Sequence, residues 1–106
     1  MIKMKIVINK CHGGFSLSKE AQDMYCASKG IEPGEWNPTW GFYDNFSDDD
    51  VPRNDAELIR IVETLGENSW GKHSELKIVE IPEDVNWYIE EYDGREWVAE
   101  RHRIWE

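Results

Sequence analysis

Lysines alternate with apolar residues along Lys3–Asn9 (KMKIVIN), leaving Met4, Ile6 and Ile8 on one side. A period of two is the mark of a half-buried strand. The pattern breaks at Cys11-His12-Gly13-Gly14-Phe15, where paired glycines let the backbone turn sharply and let another group come close. Ser18 is placed to cap a helix over Lys19–Lys29, with Ala21, Met24, Tyr25 and Cys26 toward its inner face. Gly30 stops that helix, and Ile31 suits the hydrophobic contact of a glycine C-cap. A second helix runs from a cap at Asn54 or Asp55 to Leu65, and its stripe of Leu58, Ile61, Val62 and Leu65 is expected to cover a sheet. Between the helices, Glu32–Arg53 has no period and is rich in Pro, Trp, Asn and Asp. A connection of that length is often functional. Its aromatics Trp36, Trp40, Phe42, Tyr43 and Phe46 predict partial order, with Trp36 or Trp40 buried.

The last third supplies the remaining strands. Leu76–Ile81 reads as a strand stopped by Pro82. Asp93-Gly94 marks a hairpin in one of two registers. A two-residue turn pairs Tyr92 with Arg95 and sets Glu91 against Glu96. A longer turn with a Gly94 bulge pairs Glu91 with Arg95. The longer turn gathers Trp87, Ile89, Trp97 and Ala99 on one face, and its better separation of apolar from polar residues makes it the preferred reading. The predicted fold is α+β: an antiparallel sheet of about four strands with two helices on one face, ending in a C-terminal β-hairpin, in a single domain over residues 1–106. The N-terminal strand is expected to join the C-terminal strands. On the preferred register the apolar row of the last strand runs into Arg101 and Arg103. Those cations call for a partner, either an acidic side chain of the fold or an anionic ligand. Asn86 opens the hairpin nearby but points to the other face on this register.

Composition narrows the function classes. A chain of 106 residues suffices for one modest core. It contains neither a secretory signal nor an apolar run of membrane-spanning length. Two cysteines, Cys11 and Cys26, are too few for a disulfide framework and read as reduced thiols of a cytoplasmic protein. The net charge of −10 argues against non-specific nucleic-acid binding. Acids are absent from Met1–Lys19, however, so a small anion where the basic ends meet remains compatible. The Gly13-Gly14 turn lacks the lysine and hydroxyl residue of a P-loop, and a plain strand-to-helix turn is the simpler reading. Asp48-Asp49-Asp50 lacks calcium-loop spacing and reads as a solvated loop tip, so no metal or cofactor is expected. His12, His73 and His102 are scattered, and Cys11 and His12 as neighbours need not interact, so the chain reads as a non-enzyme.

Two segments, NKCHGGFSLSKEA (Asn9–Ala21) and IPEDVNWYIEEYDGREWVAERHRIW (Ile81–Trp105), resemble a group of small phage and prophage accessory proteins, over roughly the first and last quarters of the chain. The chain is similar to the Thoeris anti-defence sponge proteins of the first-described type. That resemblance implies a homo-oligomer in the host cytoplasm that binds a cyclic ADP-ribose-type nucleotide without cleaving it. It implies ligand-binding roles for Phe15 behind Gly13 and Gly14, for Asn86, and for Arg103 with Arg101 nearby. A flat side chain for a base, an amide for its edge and guanidinium for phosphate fit such a ligand. The competing class is an acidic inhibitor that occupies the basic groove of a host nucleic-acid-directed defence enzyme. A phage structural or regulatory protein without a small ligand is a third.

Overall fold

The lysine-alternating stretch and the run ending at Pro82 find each other across the whole chain. In the computed structural model, which describes residues 3–101, the element order is β1 (Lys3–Asn9), α1 (Lys19–Lys29), β2 (Trp36–Asn37), β3 (Phe42–Tyr43), α2 (Ala56–Leu65), β4 (Leu76–Pro82), β5 (Trp87–Tyr92) and β6 (Arg95–Glu100). β1 pairs antiparallel with β4, from Lys3 opposite Pro82 to Asn9 opposite Leu76. The α+β class is as expected, with two helices and antiparallel strands. The strands form three two-stranded ribbons, β1-β4, β2-β3 and β5-β6, rather than one sheet of about four. The outer edge of β1 shows why. Its Val7 amide donates to the Arg53 carbonyl (2.8 Å) and its Asn9 amide donates to Glu96 Oε1 (2.8 Å). A side chain of β6 therefore takes a bond that a backbone ladder would have made.

The helices close over the β1-β4 ribbon. Ser18 Oγ accepts from the Ala21 amide at the start of α1. At its end Gly30 takes a φ of 69°, its amide donates to Ala27, and the Ile31 amide donates to Cys26 (2.8 Å). These two bonds are the Schellman pattern, which satisfies carbonyls that the helix itself leaves open. Asp55 caps α2 by accepting from the Glu57 and Leu58 amides. Val7, Leu17, Ala21, Tyr25, Val51, Leu58, Ile61, Val62 and Leu76 form the core between helices and ribbon. β1 is buried on both faces, since Ile6 and Ile8 are covered as well as Val7, where the alternation had predicted one. Gln22 is buried too: its amide donates to the Leu17 and Gly41 carbonyls and accepts from the Tyr43 amide, tying α1 to the β2-β3 ribbon. Residues 32–53 are thus ordered around that small ribbon. Trp36 is half-buried, edge-on to Tyr43 at 5.1 Å, whereas Trp40 stands 70% exposed.

The hairpin adopts the two-residue turn, with Tyr92 opposite Arg95 and Glu91 opposite Glu96, which overturns the longer turn preferred from the sequence. Asp93 and Gly94 both have positive φ, 52° and 89°. Such a turn matches the right-handed twist of its strands. The like-charge pair is relieved because each partner has its own donors. Glu96 receives both arms of Arg53 (2.5 and 2.8 Å), and Glu91 receives the Gly94 amide (2.8 Å). The slip regroups the faces: Trp87 and Ile89 now share a face with Glu96, Val98 and Glu100. It also brings Asn86 and Arg101 opposite each other on one face, joined by the Arg101 amide to the Asn86 carbonyl (2.8 Å), where the preferred register had separated them. Among the described residues no helix is long and apolar enough to cross a membrane.

Candidate functional site

The loop after β1 is shaped by what presses on it. A Cβ at Gly13 would lie 1.7 Å from the His73 carbonyl oxygen, so only glycine permits that approach. Gly14 has a φ of 96°, a region side chains rarely adopt. On the other side, Gly94 of the hairpin turn sits so close that a Cβ there would meet the His12 carbonyl and the Gly14 amide. Asn9 Nδ2 donates to both the Cys11 (2.7 Å) and Gly94 (2.8 Å) carbonyls, fastening the hairpin tip to the loop. Cys11 Sγ donates to the His73 carbonyl (3.1 Å), while His12 Nδ1 lies 4.0 Å from Asp93, so the neighbouring Cys and His go to different partners.

Phe15 leaves this loop with one ring face covered by the Arg53 guanidinium, 3.6 Å from the ring centroid. Arg53 in turn forks onto Glu96, whose side chain is only 8% exposed and also accepts from the Asn9 amide. A cation held by a buried carboxylate and stacked on a ring has little freedom. Asn9, Glu96, Arg53 and Phe15 thus form one chain of contacts from the strand edge to the surface.

That surface is a cleft of about 340 Å³. Phe15, Trp40 and Phe42 line it with flat side chains, together with Gly13, Gly14, Lys72 and His73. Asp48 lines it too and is shared, with Phe15 and Phe42, by an adjoining hollow of about 420 Å³ that also takes in Phe46 and Asp49. Burial pushes the Asp48 carboxyl up to about 6, against the pull of Arg53 and with the help of Asp49. Its Oδ1 is shut off from solvent and has no hydrogen-bond donor among the described residues. The arrangement offers stacking surface, one acid, and a lysine with backbone groups toward the loop.

Of the residues expected to bind a ligand, Gly13, Gly14 and Phe15 line this cleft together. Asn86 and Arg101 do not. They lie at the open end of the hairpin, while its turn end rests on Gly14. Strands of this length put the two ends roughly 20 Å apart. The Arg101 guanidinium stacks over Tyr88, 4.8 Å from its ring centroid. Arg103 lies outside the described residues. The reading from sequence missed Asp48, taken as a solvated tip, as well as Arg53, Lys72 and Glu96. For Asp48 and Arg53 the only signal was the aromatic content of residues 32–53, which marks the region but no particular residue, and Lys72 and Glu96 had none. Comparisons with protein-family models, curated proteins and solved structures found no match to this chain.

Proposed function

We propose that the protein binds and sequesters a cyclic ADP-ribose-type nucleotide without cleaving it, as a phage-encoded anti-defence protein in the host cytoplasm. One observation carries this reading: the Gly13-Gly14-Phe15 turn, singled out by the resemblance, lines a cleft together with further aromatic side chains and a lysine. Its volume falls within the roughly 300–1,000 Å³ usual for small-molecule sites. Phe42 and the free side of Phe15 suit a base, and Lys72 with the loop suits a phosphate. Asn86 and Arg101 enter this pocket only if a second copy of the chain supplies them, so the reading includes a homo-oligomer.

The test is to purify the protein from cells making the signal and heat it. Release of an intact nucleotide is expected, with Phe42→Ala and Lys72→Ala each reducing the amount. Light scattering reads the oligomer. The competing reading, an acidic inhibitor of a host enzyme, draws on exposed Trp40 and on the exposed Asp49 and Asp50. No released nucleotide, together with co-purification of a nucleic-acid-directed host enzyme that Trp40→Ala abolishes, would establish that reading instead.

A further inference from the structure

Asp48 carries the one buried side-chain polar atom that the fold leaves unmatched among the described residues. Its Oδ1 is closed from solvent, and so from any ligand, and receives no hydrogen bond from any described residue; Oδ2 is the oxygen left accessible, and it receives none either. A buried carboxylate without donors is costly, and such groups persist where something compensates them. Arg53 does not donate to it, because its guanidinium groups bond Glu96 and the Val7 carbonyl. The carboxyl also stands where the two hollows meet, beside Phe15 and Phe42. A flat ring bound there has Phe15, Phe42 and Asp48 together among its neighbours. An ionised carboxylate only accepts hydrogen bonds, so a ring edge that bonds it must donate. Phosphate is repelled by this carboxylate and drawn instead to Lys72, which lines the same cleft with the glycine turn.

We propose that Asp48 is the specificity-determining residue of the cleft, its Oδ2 accepting a hydrogen bond from the N–H at the 6-position of a bound adenine ring while the phosphates lie toward Lys72. This rests on the nucleotide reading above. It predicts discrimination by a single group: an amino nitrogen is welcome and a carbonyl oxygen at the same position is not. Sites built around one such hydrogen bond reject the mismatched analogue strongly.

The experiment is calorimetric titration of the full chain and of Asp48→Asn with two probes, N1-linked cyclic ADP-ribose and N1-linked cyclic inosine diphosphate ribose, at pH 7.5. They differ at the 6-position, nitrogen against carbonyl oxygen. The parent is expected to prefer the adenine ring by roughly tenfold or more. D48N, whose amide can donate to a carbonyl, is expected to lose or reverse that preference while melting no lower than the parent. In the parent the preference should also fade as pH drops through about 6, where Asp48 gains a proton and becomes a donor. Arg53, Asp49, Lys72 and His73 are the other charged or titratable groups facing this region, and D48N, keeping all four, separates their effect from that of Asp48. Equal affinity of the parent for both probes, or an unchanged preference in D48N, overturns the assignment of Asp48 and leaves the nucleotide reading standing. A D48N protein that melts well below the parent also overturns it, by giving the carboxyl a structural task. Binding of neither probe by the parent overturns both.

Discussion

Leu17, Ala21, Leu58 and Ile61 in the body are at most 1% exposed, whereas from Trp87 to Glu100 the one buried residue is a glutamate, Glu96. The two regions are held by different physics. The body gains from removing apolar surface from water, a term that is non-directional and tolerant of small adjustments. The hairpin half-buries Trp87, Ile89 and Val98, and a lone two-stranded ribbon is marginal in water. What fixes it is the Asn9–Glu96–Arg53 network at one side and the Gly94 contact at its tip. Such bonds are directional and fail all at once when a partner is removed. The same network holds the ring of Phe15, so the less apolar region is the one that shapes the cleft.

The comparison can be broken or sharpened by substitution. Leu58→Ala should cost about 3–5 kcal/mol, because Leu58 is fully buried and its neighbours cannot collapse freely. Denaturant unfolding should show one transition at a lower midpoint. Glu96→Ala should cost about 3 kcal/mol by leaving Arg53 uncompensated. Here hydrogen exchange should speed up first in β5 and β6 while α1 and α2 stay protected. Equal acceleration in the helices would show that the two regions are not held separately.

Asp48→Asn should act in the opposite direction. The folded value is raised to about 6 from 3.8, so the native state is favoured below 3.8 and loses that advantage as pH rises to about 6. Removing the charge should return about 1–2 kcal/mol at pH 7, a figure reduced for the solvent that reaches the group. A melting temperature higher than the parent's at pH 7 and equal to it near pH 4 is the expected pattern. Asp55→Ala should cost about 1 kcal/mol through loss of the α2 cap. Burial would raise its carboxyl, but the Lys29 ammonium and the Leu58 and Glu57 amides overcome this and lower it. Its contribution is therefore present above the unfolded value of 3.8 and is lost as pH falls through the lower folded value. In acid titrations monitored by circular dichroism, Asp55→Ala should flatten the low-pH limb and leave the Asp48 transition in place.

The elements set by neighbours three to five positions apart were legible from the chain alone. Ser18, Gly30 and Asp55 mark helix ends through hydrogen bonds and φ values local to each end, and the residues between them follow. The bounds of β1 follow from its alternation for the same reason. The hairpin register was decided elsewhere. In isolation the longer turn separates apolar from polar residues better, and only the arrival of Arg53, 43 positions away, offsets the burial of Glu96 in the shorter one. The cleft has the same origin. Gly13 and Phe15 announce themselves in the sequence, but their walls come from residues 39–48 and 72–73, and nothing local distinguishes Asp48 from the two aspartates after it. Caps and periods are short-range and act within one segment. Burial of a charge, and the partner that offsets it, depend on which distant segments the fold brings together.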